Sequence, residues 1–467
     1  MKFAALMRVL CLCLPTVALA APASAQTYTE IVSFNGNSAA GPKTPLTQGL
    51  DGNLYGTTYY GGTGTCFDEE GVGCGVLFMI VNGKLRIVYN FQPGAVSYLE
   101  NSLLLAGDGN FYGTTSGGTI FKITPTGTLS TLYQLNGSPE GADPEGGLIQ
   151  AADGNFYGTT ASGGATSAFC PSGCGTVFKL TPKGVLTTLY SFCPQNYCPD
   201  GEYPAGSLVQ GPDGNFYGTT TGGGLYKKGT IFRVSSQGVF KLLYTFLGNV
   251  YNVSPGLILG TDGNFYGTTY SYGYQITRSG VFTELGSLGD NGYAPHSVIQ
   301  GNDGNLYGAA FGGGNYGLGV IFEMPTFGTS ETTLFSFSGY PSNGSYPFAG
   351  LVQATNGTFY GTTFSGGSSS CNFYSAGCGT VFSYDAGLAP FVAFVRGMAK
   401  VGQTFIVLGQ GLTGATSVTL NGIPATFTVK SDTAMLVTVP AGATSGYVTV
   451  TTASGALTSN AVFYVLH

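Results

Sequence analysis

Short alternating runs of apolar and polar residues, separated by glycine-rich breaks, fill the chain and predict β-strands throughout. In Asp213-Gly214-Asn215-Phe216-Tyr217-Gly218-Thr219-Thr220, an Asp-Gly pair precedes an alternating segment. Asp-Gly reverses a chain through positive φ, which glycine tolerates, so the stretch reads as a tight turn feeding a strand. It recurs, with small changes, from Asp51, Asp108, Asp153, Asp262 and Asp303, and in degenerate form from Asn356. The motif tyrosines (Tyr55, Tyr112, Tyr157, Tyr217, Tyr266, Tyr307, Tyr360) are spaced by about 51 residues, the period of propeller blades.

Each unit carries four strand signals. In the fourth copy they are Ser207 to Gln210, Asn215 to Thr220, Gly229 to Val234 and Phe240 to Phe246. The first three have seven copies. The fourth has six, ending at Phe91, Leu135, Phe192, Phe246, Leu288 and Phe337, because the last unit runs from Tyr384 into a different composition. Thr29 to Phe34, ahead of the first unit, matches Thr187 to Phe192. An N-terminal strand that completes the last blade explains the offset and leaves no open edge. The expectation is an all-β chain: a closed seven-bladed β-propeller of four-stranded blades over residues 27–386. From Leu388 the repeat's aromatics vanish, and six short alternating segments (from Thr404, Ser417, Ala425, Ala434, Gly446 and Ala461) predict an Ig-like β-sandwich over residues 388–467.

The first 25 residues stand outside this plan. Lys2 and Arg8, the apolar run Val9 to Ala21, and Ala23-Ser24-Ala25 before Gln26 read as a secretory signal peptide. The residues before Cys11 and Cys13 do not suit a lipoprotein signal, so a soluble export product is expected: extracellular, on the cell surface or periplasmic, with no membrane span. Sixteen basic and 22 acidic residues leave a formal charge of −6. No basic stripe offers itself to phosphates, which argues against nucleic acid as a partner. The eight cysteines beyond the signal fall in neighbouring pairs, Cys66 with Cys74, Cys170 with Cys174, Cys193 with Cys198 and Cys371 with Cys378. In an exported chain they read as four local disulfides. Metal ligation is the rival; the scatter of the pairs and the scarcity of histidine speak against it.

The repeat, with Asp-Gly-Asn-Phe-Tyr-Gly-Thr-Thr followed by Gly175-Thr176-Val177-Phe178-Lys179-Leu180-Thr181, resembles the bacterial GloVer (Gloeo/Verruco) tandem repeat over nearly all of residues 27–386. The tail, with Gly422-Ile423-Pro424-Ala425, Ser431-Asp432-Thr433 and Val439-Pro440-Ala441-Gly442-Ala443-Thr444, is similar to an IPT/TIG domain. The second resemblance implies an extracellular interaction or spacer module. The blade also resembles that of streptogramin lyases, which use histidine and glutamate with a magnesium ion. This chain has two histidines, His296 and His467, and no second blade histidine completes such a site.

Candidate chemistry is sparse. One carboxylate per Asp-Gly-Asn turn suits turn formation better than calcium. Gln48, Gln150, Gln210, Gln300 and Gln353 share one repeat position. They read as amides bonded between blades, with a ligand channel as the alternative. There is no Gly-x-Ser-x-Gly and no His-Glu-x-x-His. Asp68, Glu69 and Glu70 form an acidic run that glycoside chemistry could use, though such runs are commonly just solvated. Length variation concentrates in the connections from second to third strand and from fourth strand to the next unit. In a propeller both emerge on one face. They carry the cysteine pairs and Tyr59, Tyr60, Tyr226, Tyr270, Tyr272, Phe311, Tyr316, Phe373 and Tyr374. The expectation is a non-enzymatic binding or surface-interaction protein that presents these rings to a glycan or protein ligand, without catalytic residues, metal or cofactor. The alternatives are a carbohydrate-active lyase or hydrolase using acidic residues of the same face, and a structural envelope or matrix component.

Overall fold

The computed structural model describes residues 26–66, 73–94, 99–166, 168–247, 253–288, 293–327, 331–368, 371 and 376–466. The signal segment, Asp68, Glu69, Glu70, Phe373, Tyr374 and His467 lie outside the described residues, as does the side chain of His296.

The Asp-Gly-Asn turn forms for local reasons. In the fourth unit the Asn215 N–H donates to Asp213 Oδ1 at 3.2 Å and its Nδ2 to Oδ2 at 2.7 Å, while Gly214 takes φ 78°. The Tyr217 hydroxyl then donates to Asp213 Oδ2 at 2.8 Å. The same Tyr-to-Asp bond recurs at Tyr55, Tyr112, Tyr157, Tyr266 and Tyr307. In the degenerate copy Asn356 Nδ2 donates to the Tyr360 hydroxyl instead, at 3.0 Å. One carboxylate thus organises the turn and anchors the ring that follows.

Every unit builds a four-stranded antiparallel sheet, seven in all among the described residues. In the fourth these strands are Val209–Gln210, Phe216–Thr220, Thr230–Val234 and Phe240–Thr245. The first strand has shrunk to two residues, because Ser207 and Leu208 approach it as irregular chain. The last sheet takes its outer strand from the N-terminus: Thr27–Ser33 pairs antiparallel with Thr380–Asp385. The arrangement is propeller-like.

Aromatic rings hold neighbouring sheets together. Tyr157 stacks on Phe216 at 3.9 Å and Tyr217 on Phe265 at 4.0 Å, so the tyrosine of one unit meets the phenylalanine of the next. The repeated glutamines add a polar stitch. Gln150 accepts from Gly107 N–H, Gln210 from Ala152, Gln300 from Thr261, Gln353 from Asn302 and Gln48 from Thr355, each across to the preceding sheet. The last of these joins the seventh sheet to the first. At the two remaining junctions the position is held by Leu105 and Leu259. Gln210→Leu, which leaves the Ala152 N–H without its acceptor, is expected to cost about 1–3 kcal/mol. A denaturant titration with unchanged slope would measure it; no loss would mean that water replaces the amide.

The turn carboxylates also set an acid response. Burial opposes the charge of Asp108, but Lys122, Asn110 and Tyr112 outweigh it and hold the carboxyl at about 2, against an ordinary 3.8. Asp153 and Asp213 are lowered as well, again against burial, by Asn155 and Tyr157 and by Asn215 and Tyr217. A lowered folded-state value contributes stability above the ordinary value, which is lost as pH falls through the folded one. Between about pH 4 and pH 2, wild type is therefore expected to lose more stability than Asp108→Asn, as urea midpoints across that window would reveal. Parallel curves would refute the assignment.

The tail makes two further four-stranded sheets and a parallel pair, Met398–Lys400 with Tyr464–Leu466. Val407 and Val437 from one sheet and Val418 and Val450 from the other share one buried cluster. The tail sits against the Asp-Gly-Asn turns: Thr433 Oγ1 donates to Leu50 O at 2.6 Å and Asn302 Nδ2 to Ala389 O at 2.8 Å. Leu408 and Ala434 enter the core that holds Tyr55 and Phe111. The described residues contain no α-helix, only a 3-10 turn at Leu412–Gly414. No helix among them is long and apolar enough to cross a membrane.

Candidate functional site

The two variable connections of a unit meet at the same end of its sheet. Isolated bridges join Ala40 to Tyr60, Ala142 to Ser162, Glu202 to Gly222 and Val253 to Thr269. In the seventh unit Gly344–Ser345 pairs with Ser365–Gly366. The chain then runs inward to the first strand. The residue six before each motif Asp or Asn (Pro45, Ser102, Gly147, Ser207, Gly256, Ser297, Gly350) lines a single cavity of about 220 Å³. All seven units contribute, and all contribute small residues.

Two residues earlier the same register is anything but uniform. It holds Lys43, Glu100, Glu145, Ala205, Ser254, Pro295 and Phe348. Five of these, Lys43, Glu100, Glu145, Ala205 and Phe348, rim an outer cavity of about 400 Å³ together with Asp143. Lys43 Nζ bonds Glu100 Oε1 at 2.6 Å and lies 3.9 Å above the Tyr59 ring, a cation–π contact. Burial raises the Glu145 carboxyl, and the charges of Asp143 and Glu100 raise it further. Glu100 is thus paired with a cation, while the Glu145 carboxyl resists ionisation.

An aromatic arc adjoins the cavity. Tyr346 stacks on Phe311 at 4.7 Å, Phe311 meets Phe348 edge-on at 5.3 Å, and Phe348 approaches Phe364 at 6.0 Å. Lys43 links Phe364 to Tyr59, which packs edge-on against Tyr60 at 4.6 Å. Of the rings expected here, the structure brings Tyr59, Tyr60 and Phe311 into this arc. Tyr226, Tyr270 and Tyr316 are exposed on the connections of the fourth, fifth and sixth units. Tyr272 is placed differently from the expectation. It begins the strand Tyr272–Ile276, because Thr269 Oγ1 accepts from the Ser271 and Tyr272 N–H groups and closes that connection in a tight turn. Burial, with Glu284 and Tyr244 adding, pushes its hydroxyl up to about 12.

Lys43, Glu100, Asp143, Glu145, Tyr346, Phe348 and Phe364 escaped the sequence reading. A signal was present for four of them: counting eight residues back from each motif Asp or Asn isolates Lys43, Glu100, Glu145 and Phe348 as one register. The four cysteine pairs form the disulfides Cys66–Cys74, Cys170–Cys174, Cys193–Cys198 and Cys371–Cys378. The glutamines bond backbone between sheets, and Gln150, Gln210 and Gln300 also line a cavity of about 390 Å³ that faces the tail rather than the variable end.

A family model described as the Gloeobacter/Verrucomicrobia repeat matches residues 64–282 and 252–417, and an IPT/TIG domain model matches residues 394–465. No curated protein matches the chain. Among solved structures, the chain is similar to a catalytically inactive variant of virginiamycin B lyase from Staphylococcus aureus with quinupristin, at 15% identity and TM-score 0.53, over 77% of this chain and 99% of that one. It is also similar to the extracellular domain of the hybrid two component system protein BT4673 from B. thetaiotaomicron, at 9% identity and TM-score 0.51, over 95% of this chain and 60% of that one. That of BT3049 from the same organism follows at 13% and 0.50, over 89% and 50%. At these identities the likeness concerns the fold alone.

Proposed function

The chain belongs to the Gloeobacter/Verrucomicrobia repeat family and carries an IPT/TIG domain, and from that premise we propose that it is an exported, non-enzymatic binding protein. Its residues 27–386 form a closed seven-bladed propeller, and residues 388–467 form an Ig-like sandwich that caps the turn face. Three observations support closure. The Gln48–Thr355 bonds join the last sheet to the first, Thr362 Oγ1 donates to Thr44 O across the same junction at 3.3 Å, and all seven units line one cavity.

The binding reading rests on one contrast. At a single repeat register the scaffold keeps small residues, while two residues outward it presents Lys43, Glu100, Glu145 and Phe348 in a mouth flanked by aromatic rings. Rigid elements presenting varied side chains at a concave mouth are how ligand sites are built. A glycan, through ring stacking and hydrogen bonds to the carboxylates, is the ligand class we favour over a protein. The extracellular domains it resembles in fold are in keeping with such a role.

The enzyme reading keeps a specific point in its favour. Glu145, whose carboxyl burial raises, stands beside Glu100, which is ion-paired with Lys43, so the mouth offers two carboxyl groups, as glycoside hydrolysis requires. An array of glycans and envelope fractions probed with the exported chain, with mass spectrometry of each mixture for cleavage products, separates the two. Binding without turnover supports the display protein. Turnover abolished by Glu145→Gln would replace it with the hydrolase, and silence in both assays would refute the glycan reading.

A further inference from the structure

The two disulfides of the third unit lie against each other. Cys170 and Cys174 belong to the connection between its second and third strands, Cys193 and Cys198 to the connection leaving its fourth. Their four sulfurs fall within 4.8 Å of one another, and all four residues are buried, none more than 3% exposed. Across the pairs, Cys198 Sγ lies 3.9 Å from both Cys170 Sγ and Cys174 Sγ.

This pairing is not inherited from the repeat. Cys74, Cys174 and Cys378 occupy one register, immediately before the glycine that precedes the third strand, and each has a partner in the connection before it. The first and seventh units use that single pair. Only the third adds a second pair, just after Phe192. Each disulfide pins its own short loop, and the meeting of the two connections brings the pairs near each other, but neither sets four sulfurs at this mutual spacing. A tetrahedral thiolate site does. Zinc–sulfur bonds of about 2.3 Å set the four sulfurs about 3.8 Å apart, close to the cross-pair separations here. The spacings Cys-x3-Cys and Cys-x4-Cys both fall within those of structural zinc sites.

We infer that the Cys170, Cys174, Cys193 and Cys198 cluster is a redox-convertible metal site, two disulfides when oxidised and a tetrathiolate site for a soft divalent cation such as Zn2+ when reduced. Each disulfide takes two electrons and two protons from a dithiol, which leaves as its own disulfide. The four thiols then release their protons as the cation binds. Four thiolates buried at this density repel one another, and the cation supplies the charge that holds them together. The shell beyond the sulfurs is ordered by Asp200, which accepts from the Cys193 N–H at 3.1 Å and from the Tyr190 hydroxyl at 2.8 Å. Glu202 Oε2 stands 3.7 Å from Cys174 Sγ, placed to accept from its thiol.

The test reduces the exported chain with dithiothreitol, removes the reductant anaerobically and titrates Zn2+ against a chromophoric chelator. One Zn2+ per reduced chain is expected, and none at this site in the oxidised protein. Cys193→Ser/Cys198→Ser is expected to bind on the order of 100-fold or more weakly, whereas Cys66→Ser/Cys74→Ser binds as wild type. Circular dichroism checks that each variant is folded. Co2+ bound to reduced wild type is expected to show the intense bands of tetrahedral thiolate coordination, a readout that needs no variant. Equal Zn2+ affinity in reduced wild type and the Cys193/Cys198 variant, or a cobalt spectrum without those bands, would overturn the proposal.

Discussion

Phe232→Ala is expected to destabilise the protein by about 3–5 kcal/mol, the range for emptying a fully buried phenylalanine site. The ring has 0% exposure and pairs across the sheet with Gly218, whose missing side chain is what makes room for it: a Cβ there would stand 2.6 Å from Phe232 Cζ. Phe192 meets the ring edge-on at 5.1 Å, and Phe240 lies at 5.9 Å. The surrounding sheet is hydrogen-bonded on both sides, so it collapses little into the void and the cavity term persists. Equilibrium urea unfolding with an unchanged slope would read the loss directly. A cost below about 1 kcal/mol would mean that the repeat repacks, and the Gly218–Phe232 complementarity would lose its standing as the core device of each unit. Gly218→Ala attacks the same contact from the other side and is expected to cost about 1–3 kcal/mol by overpacking.

The second large effect concerns the mouth. Once a glycan ligand is found, Tyr59→Ala combined with Phe348→Ala is expected to weaken it by about 10–100-fold, the scale on which removing aromatic anchors acts. The urea midpoint should hardly move, because both rings sit on connections outside the buried clusters. Tyr316→Ala, on an exposed connection with a 63% exposed ring, is the matched control and is expected to leave binding unchanged. Equal affinity in the double variant and wild type would place the ligand elsewhere. Lys43→Met carries a subtler expectation: it frees Glu100 from its ion pair, so any charge-dependent part of recognition shifts without loss of the ring platform.

The sequence carried the frame of the molecule because the frame is built from local rules. Asp213 and Gly214 make their turn with atoms at most two residues away, so the turn is written where it occurs. The strand Thr27–Ser33 was legible from a missing count, and the cysteine partners from proximity along the chain. The five glutamines bond backbone between sheets because that position meets unpaired N–H groups of its neighbour. The mouth was harder. Phe311 lies in the strand Leu306–Gly312, not on a connection, while Tyr346, Phe348 and Phe364 come from connections, and their contact exists only after the sheets are set side by side. Tyr272 misled for the opposite reason: a three-residue turn stabilised by Thr269 drew it into a strand. The docking of the tail left no pattern at all, since Thr433 reaches a backbone carbonyl, an acceptor that every residue offers.

The strand Thr27–Ser33 is the first part of the fold to be synthesised and the last to find its partner, because Thr380–Asp385 comes near the end of the repeats. Until then it is a free edge of high β-propensity, and the last four-stranded sheet lacks its outer strand. Contacts this distant in sequence slow folding and lengthen the exposure of unpaired strands to aggregation. Once made, the same pairing acts as a latch: mechanical pulling on the N-terminus must shear this strand before any other unit is loaded. The order of synthesis and the order of release thus meet in seven residues.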